Sequence, residues 1–337
     1  LLLPVCFAGM EYVTRKDWEK IAIAFLFVTM AGVCFSVWQY FQNIHSVQAA
    51  YLRAQTINTP LNNDHVRFSL LVSLGILTSV FLLTEKHKKV TEALVGVLSV
   101  ITLVFIVYLH VLAVRTGLIC FYLGSIIFMI WFLRKVKNRL RYAWLLVFVI
   151  LLPLVSWFAF PTFKNRISYL KYDLSTTWRD VYRSGSNDGN RLMAVRAGWQ
   201  IQNWHPFMGV GFGDIKTETD KWYRAMHLQM SEGDKILPSS EWMMYGAGTG
   251  WIGFFLFSMI MVIPFFVNRL RKNIWWWLIN IFIALSYLFD IGLEVQYGVF
   301  VHAFILLWWY KWLTVVSNTP NIDKVRENKS GEILKLN

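Results

Sequence analysis

The chain has 337 residues, of which 56% are hydrophobic, 17% are aromatic and only 16% are charged, and its mean hydropathy is +0.45. A soluble domain carries about 25% charged residues, so this composition excludes a soluble globular protein. It indicates a chain that spans the membrane several times and contacts membrane lipids. The formal net charge of +13 does not indicate binding to nucleic acid, because the basic residues cluster in short loops between apolar segments, where they set membrane orientation.

Eight apolar segments are long enough to be candidate spans, since a membrane helix needs about 20 apolar residues. They follow an apolar stub, 1–10, and lie at 21–41, 68–83, 90–113, 116–133, 142–160, 241–267, 274–290 and 296–313. We therefore predict an all-α fold: a polytopic transmembrane helical bundle of about eight spans plus an N-terminal partial span. The stub resembles the end of a membrane helix more than a signal peptide, and it predicts that an N-terminal portion is missing.

Basic clusters give the orientation. They lie before the first span, between the second and third, the fourth and fifth, and the sixth and seventh, and after the eighth. All five fall on one side if all eight segments span, and that side is cytoplasmic by the positive-inside rule. The prediction divides the chain into transmembrane helices in 1–160, a large helical loop domain outside the cytoplasm in 161–238, further transmembrane helices in 239–316, and a cytoplasmic tail in 317–337.

The cysteines lie in apolar stretches, at Cys6, Cys34 and Cys120. This placement indicates small hydrophobic residues of the membrane helices, and neither a disulfide framework nor a metal site. No metal-ligand set, nucleotide-binding loop or Ser-His-Asp spacing occurs in the sequence. If the protein is an enzyme, we expect its substrate to be a membrane-carried activated molecule with an anionic group.

The most polar and glycine-rich part of the chain is 189–214, which reads GNRLMAVRAGWQIQNWHPFMGVGFGD. Apolar residues at i, i+3 and i+7 predict a helix with one apolar face. Arg191 lies in the first turn of this helix, and Arg196 lies off the apolar face. The proline after His205 ends the helix, and the glycines that follow favour a tight turn. Arginines beside such a turn can bind an anion, but solvated surface arginines explain the pattern equally well.

Further charged residues lie at span ends on the same outer side. Arg115, in HVLAVRTGL, is placed against the positive-inside bias, which favours a functional role over a side chain that reaches to lipid headgroups. His65 and Arg67 open the second span, and Asp290 and Glu294 lie near the last outer turn. Helix caps or surface ion pairs explain these four equally well.

The stretch 238–253, PSSEWMMYGAGTGWIG, enters the sixth span. Ser239 and Ser240 can cap that helix, and Glu241 suits the positive end of the helix dipole. The four glycines of the stretch recur at helical spacings that favour close helix packing.

These motifs together resemble the bacterial O-antigen ligase and polymerase family. The arginine-led helix with its His-Pro and Gly-x-Gly turn, HVLAVRTGL, PSSEWMMYGAGTGWIG and LFDIGLEVQYGVF occur in the family's order over about 62–312. The resemblance implies a multi-pass glycosyltransferase of the bacterial inner membrane whose active site faces the periplasm. Such an enzyme moves a glycan from a polyprenyl pyrophosphate carrier to a hydroxyl of lipid A-core or of a growing polysaccharide, without metal, nucleotide or other cofactor.

By this resemblance Arg115 and Arg191 hold the pyrophosphate, and Arg196 is a further helper. A guanidinium fork matches phosphate oxygens and stabilises the charge that develops on a departing pyrophosphate.

One position departs from the family pattern. The family's histidine, the proposed base for the acceptor hydroxyl, aligns with Ser239, and its asparagine aligns with Ser240. A serine hydroxyl is a poor base, so the catalytic candidates are Glu241, His227 and Ser239, with Glu241 slightly favoured.

Several functions remain open at this point. Ligase, polymerase and protein O-oligosaccharyltransferase are not separated by these motifs. A transporter or flippase of an anionic lipid-linked substrate is the alternative from another class, although it would place ionisable residues at mid-membrane rather than at the outer face. A catalytically inactive relative with a scaffolding role is a third hypothesis, suggested by Ser239.

Overall fold

The computed structural model describes residues 2–10, 13–53, 55–85, 92–177, 187–226, 230–266 and 269–318. Regular structure in these ranges is helical and includes no strand, which confirms the predicted all-α fold class. The α-helices are α1 (Leu2–Gly9), α2 (Arg15–Gln42), α3 (Ile44–Ala50), α4 (Pro60–Asn63), α5 (His65–Glu85), α6 (Glu92–Leu112), α7 (Arg115–Lys135), α8 (Arg139–Ala159), α9 (Pro161–Thr177), α10 (Asn187–Trp204), α11 (Ile215–Met226), α12 (Glu241–Val262), α13 (Ile274–Phe289), α14 (Gln296–Phe300) and α15 (Leu306–Asn318).

Six helical segments within these ranges are long and apolar enough to cross a membrane, so the predicted polytopic character is confirmed. They are Arg15–Gln42, His65–Thr84, Glu92–Leu112, Arg115–Lys135, Glu241–Phe266 and Gln296–Val316. The other two predicted spans differ from a single long helix. Trp144–Ala159 continues into Pro161–Tyr172 through a bend of 98°, and Ile274–Phe289 has only 16 residues.

Helix α5 lies at the centre of the bundle and packs against α2, α6, α7 and α13. Hydroxyl groups join neighbouring helices, as membrane helices commonly do. Ser73 Oγ donates to the carbonyl of Gly117 at 3.0 Å, and Tyr108 OH donates to Ser36 Oγ at 2.7 Å. The α5–α7 contact places the N-terminal ends of these two helices side by side, and those ends carry His65 and Arg115.

The bend between α8 and α9 turns α9 across the end of α6. Thr162 Oγ1 donates to the carbonyl of Val111 at 2.7 Å, which holds the first turn of α9 against α6. Phe163, Arg166 and Tyr169 follow at a spacing of three and form the buried face of α9. The segment predicted as an outer loop thus begins with a helix that packs on the bundle.

Helix α12 reverses its direction near its middle. Thr249 and Gly250 have non-helical dihedral angles, with φ +69° at Gly250. Trp242 Nε1 donates to Ser258 Oγ at 3.0 Å, although a straight helix would separate these residues by about 24 Å at a rise of about 1.5 Å per residue. The predicted span 241–267 therefore matches Glu241–Phe266 in length and composition, but only the part after the reversal runs along the bundle as one helix.

A loop of residues 205–212, the tip loop, binds the backbone of α12 at this reversal. Helix ends leave carbonyl and N–H groups without helical partners. Val210 N donates to the carbonyl of Ala247 at 2.9 Å, Gly211 N donates to the carbonyl of Gly248 at 2.8 Å, and Trp251 N donates to the carbonyl of Pro206 at 2.8 Å. The tip loop thus supplies partners that the interrupted helix lacks.

Glycine is required at two positions of this contact. Gly209 has φ +63°, and a Cβ there would lie 2.3 Å from the carbonyl carbon of Gly248. Gly250 has φ +69°, and a Cβ there would lie 2.4 Å from the carbonyl oxygen of Pro206. Two glycine-rich motifs that lie far apart in the sequence therefore meet backbone to backbone.

Candidate functional site

A cavity of about 440 Å³ lies where the ends of α5, α7, α9, α10 and α13 meet. Its charged and polar lining includes His65, Arg115, Thr116, Arg166, Asp188, Arg191 and Ser239. Its apolar lining is Val66, Val114, Ile119, Leu192, Val195, Leu288 and Phe289. The cavity therefore combines guanidinium groups with an apolar wall.

Arg115 enters the cavity from the first residue of α7. The chain turns sharply just before it, because Ala113 has φ +50° between α6 and α7. Arg115 Nη1 lies 2.5 Å from Asp188 Oδ1 of α10. This ion pair joins the HVLAVRTGL motif to the residue directly before the 189–214 motif.

Arg191 enters the cavity from α10. Its Nη1 donates to the carbonyl of Phe289 at 2.8 Å, at the end of α13. Its own carbonyl accepts a hydrogen bond from Ser239 Oγ at 3.1 Å. Arg115, Arg191 and Ser239, three of the residues singled out in the sequence, thus line one cavity.

Arg166 is a third arginine of the cavity that the sequence analysis did not select. It is only 6% exposed, and its Nε and Nη1 have no hydrogen-bond partner among the described residues. Arg166 interacts electrostatically with two charged side chains of the same cavity, the like charge of Arg115 and the opposite charge of Asp188. One signal in the sequence could have identified it as a buried residue. Arg166 follows Phe163 by three residues and precedes Tyr169 by three, so it lies on the otherwise apolar face of α9.

Glu241 lies outside the cavity lining. Its side chain is fully buried, with 0% exposure, and its Oε1 accepts the N–H of Leu293. Its Oε2 has no hydrogen-bond partner within the described part of the chain. Ser240 occupies the N-cap position of α12 but makes no capping hydrogen bond with its side chain, and it donates instead to the carbonyl of Tyr287 at 3.4 Å.

Arg67 of α5 binds the turn between α13 and α14. It forms ion pairs with Asp64 and, at 3.2 Å, with Asp290, and its Nη2 donates to the carbonyl of Ile291 at 3.0 Å. Burial raises the pKa of Asp290 above its ordinary value, while Arg67 and Arg191 act in the opposite direction. The sequence alone was explained equally well by a helix cap and by an ion pair at these residues. The structure shows that Arg67 and Asp290 form an ion pair.

The remaining candidates fall elsewhere. Arg196 is exposed on α10 and is not part of the cavity lining. His227 lies outside the described residues. His65, the first residue of α5, lines the cavity beside the arginines. Among the described residues, no group of three or more His, Cys, Asp or Glu side chains is arranged to hold a metal ion.

Comparison with known proteins agrees with the motifs. Residues 101–258 match the sequence model of the family described as O-antigen ligase, and no curated protein matches the chain significantly. The matched stretch contains Arg115, Arg166, Arg191, Ser239 and Glu241. The resemblance drawn from the sequence is therefore confirmed over residues 101–258: this part of the multi-pass membrane protein is similar to the O-antigen ligase family, whose members are glycosyltransferase-like enzymes with lipid-linked glycan substrates.

Proposed function

We propose that the protein transfers a glycan from a polyprenyl pyrophosphate carrier to an acceptor hydroxyl, and that the 440 Å³ cavity binds the carrier. The observation that supports this most is Arg166. A buried guanidinium with two N–H-bearing nitrogens that lack partners in the described structure is costly unless an anion binds it, and here it lies near the like charge of Arg115.

Three arginines suit a pyrophosphate better than a single phosphate. Each guanidinium can bind two phosphate oxygens in a fork geometry, and Arg115, Arg166 and Arg191 enter from three different helices. Asp188 occupies Arg115 in the described structure. Binding of the carrier would require the carrier's phosphate oxygens to replace or share that contact.

The apolar wall suits the polyprenyl chain of the same carrier. Leu192 and Val195 of α10 and Ile119 of α7 line one part of the cavity, and Leu288 and Phe289 of α13 line another. An isoprenoid chain gains about 25 cal/mol for each Å² of apolar surface that it buries. The cavity thus offers both parts of a polyprenyl pyrophosphate a matching surface.

The transfer balances without an oxidant or a nucleotide. The acceptor oxygen forms a bond to the anomeric carbon of the glycan, and the bond from that carbon to the pyrophosphate oxygen breaks. The bonding electrons leave with the polyprenyl pyrophosphate, whose developing negative charge the arginines stabilise. We propose that these guanidinium groups take the place of a metal ion, so the transfer is metal-independent.

The proton of the acceptor hydroxyl needs a base, and we propose His65. It lines the cavity beside the arginines, whereas Glu241 is buried outside the lining and Ser239 donates its hydroxyl to the Arg191 carbonyl. A neutral imidazole can accept a proton from a hydroxyl, and histidine is the side chain most often used for this in catalysis. Glu241 then acts by holding the N–H of Leu293, and His227 remains the alternative base.

We propose that the reaction takes place on the periplasmic face of the bacterial inner membrane, and the positive-inside rule applied to the basic loops supports this side for the cavity. The acceptor is lipid A-core or a growing glycan, so ligase and polymerase both fit, and a protein hydroxyl is a further alternative. A transporter or flippase is disfavoured, because the three arginines gather at helix ends and do not lie along a path through the bundle.

Binding of the carrier alone tests the proposal, because it needs no acceptor. We expect the protein in nanodiscs to bind undecaprenyl pyrophosphate more tightly than undecaprenyl monophosphate. Arg166→Gln and Arg191→Ala should each weaken binding of the pyrophosphate about tenfold or more, since a charge-assisted hydrogen bond contributes about 1.5–3 kcal/mol. Arg196→Ala, on the same helix as Arg191 but exposed, should bind normally. Equal binding of the two lipids, or normal binding by Arg166→Gln, would contradict the proposal.

A further inference from the structure

The tip loop carries large apolar side chains that are almost fully exposed. Phe207 is 77% exposed and Met208 is 83% exposed, and Trp204 and Phe212 beside them are also exposed. An exposed cluster of this kind on a water-facing loop would be an aggregation liability, so its presence points to a contact with an apolar surface.

The tip loop is held in a fixed conformation. Its backbone donates to and accepts from α12 through the three hydrogen bonds at the helix reversal, and Gly209 N donates to the carbonyl of His205 at 3.0 Å. Irregular backbone can lie near lipid only when its polar groups are satisfied internally. The contact with α12 provides several of those partners, so the loop is suited to a site beside lipid.

The exposed side chains of the loop continue the apolar outer face of α12. Trp199 of α10 packs against Trp251 at 5.4 Å between ring centroids, edge to face. Beyond Trp251 the exposed residues of α12 are apolar, including Ile252, Phe255, Leu256 and Met259. A bundle helix with such a face contacts the lipid chains, and the tip loop lies at the end of that face.

The length of this face places the loop at the membrane boundary. Residues 251–266 span about 24 Å at a rise of about 1.5 Å per residue, which is close to the hydrocarbon thickness of about 30 Å. The tip loop therefore meets the level at which aromatic side chains concentrate in membrane proteins. Charged residues resume at Asp214, directly after the loop.

We propose that the tip loop is a membrane anchor, which inserts Phe207 and Met208 into the boundary between lipid headgroups and acyl chains. Lipid is the occupant that the continuity with α12 selects. By fixing the reversal of α12 at that depth, the anchor also sets the height of α10, because α10 packs along the first half of α12. This inference concerns the lipid bilayer and stands independently of the proposed transfer reaction.

Spin labels in a bilayer test the anchor directly. The exposed Cys6 and Cys34 are replaced by alanine, the buried Cys120 is kept, and one cysteine is introduced at Met208 or, in a second variant, at Phe207. The labelled proteins are placed in liposomes of phosphatidylethanolamine and phosphatidylglycerol. Collision rates are then measured with oxygen, which concentrates in lipid, and with a water-soluble nickel chelate.

Two matched positions calibrate the result. Leu256→Cys reports the lipid-facing side of α12, and Lys221→Cys reports an exposed, charged face of α11. We expect the labels at Met208 and Phe207 to collide with oxygen as the label at Leu256 does, and to be shielded from the nickel chelate. Nickel collisions as frequent as at Lys221 would place the loop in water and overturn the proposal. Low collision rates with both reagents would mean that a protein surface covers the loop, which also overturns it.

Discussion

Ser239 donates its hydroxyl hydrogen bond to the carbonyl oxygen of Arg191 at 3.1 Å, and this contact joins two motifs that lie 48 positions apart. It is the first of several contacts along α10 and the first half of α12. Gly198 lies against Met243 and Pro238, so closely that a Cβ at Gly198 would be 2.9 Å from each of their Cβ atoms. The position of the Arg191 guanidinium in the cavity therefore depends on the packing of these two segments as well as on its own helix.

The arginines give the first prediction. Arg191→Lys keeps the positive charge but loses the fork geometry, so we expect it to transfer glycan poorly and to bind the pyrophosphate carrier about tenfold or more weakly. Arg196→Lys is the matched control on the same helix and should behave as the unmodified protein. The measurement is binding and transfer of a lipid-linked glycan in proteoliposomes, with protein levels compared. Full activity of Arg191→Lys would rule out a two-pronged contact with the pyrophosphate.

Helix reversal gives the second prediction. Gly250→Ala places a Cβ 2.4 Å from the Pro206 carbonyl oxygen at a positive φ, so it should lower the free energy of unfolding by at least about 1–2 kcal/mol. Gly213→Ala, where a Cβ meets nothing within 4 Å, should lower it by far less. Thermal unfolding in detergent measures both. Equal midpoints for the two variants would show that the tip loop contact with α12 is not tight.

Topology gives the third prediction, which concerns the side of the membrane on which the 161–238 segment lies. Single cysteines at Lys221 of α11 and at Lys137, in the basic junction of α7 and α8, are both exposed positions. An impermeant thiol reagent applied to intact spheroplasts should label Lys221→Cys and spare Lys137→Cys. The reverse pattern would invert the orientation and place the cavity in the cytoplasm.

Much of the fold followed from composition and periodicity. The all-α class and the positions of most apolar helices depend on local signals, namely hydrophobic length and the charged loops between apolar segments. The reversal of α12 did not follow, because GAGTG satisfies helical packing and a sharp turn equally well in one dimension. Its cause is a contact with the tip loop, about 40 residues earlier, which hydrophobic periodicity does not report.

The candidate site likewise contains some features that local sequence signals indicate and others that depend on tertiary contacts. Arg166 was not selected from the sequence, because the bend that lays α9 across α6 is not visible in local sequence patterns. Glu241 suited the positive end of α12, yet its carboxylate is buried outside the cavity lining and accepts the N–H of Leu293. Residue types at span ends indicated an anion site, while the assignment of individual roles needed the tertiary contacts.

Burial of Asp290 gives the fourth prediction, on pH dependence. Because burial raises the pKa of this carboxyl, the folded protein holds the proton to a higher pH than the unfolded chain does. The stabilisation from that proton is complete below the unfolded pKa and is lost as the pH rises through the folded value. We expect Asp290→Asn to remove this part of the pH dependence of the unfolding midpoint. If the unfolding midpoint of Asp290→Asn depends on pH as that of the unmodified protein does, protonation of the buried Asp290 carboxyl does not contribute to stability.

The base gives the last prediction. A positioned base contributes about 10²- to 10⁴-fold to a proton transfer, so His65→Gln should lower the rate of glycan transfer at least about tenfold while the carrier still binds. His205→Gln, at an exposed histidine of the tip loop directly after α10, is the matched control and should transfer normally.

Glu241 and Ser239 separate this assignment from the one that the sequence favoured. Glu241→Gln keeps an acceptor for the N–H of Leu293, so we expect it to transfer glycan at a near-normal rate, whereas Glu241→Ala should loosen the turn after α13 and lower stability. Ser239→Ala should be mild, because it removes one hydrogen bond to a backbone carbonyl. A loss of transfer in Glu241→Gln with normal transfer in His65→Gln would return the base to Glu241. Normal transfer in all three, with inactive arginine variants, would mean that stabilisation of the departing pyrophosphate drives the reaction without a base from these positions.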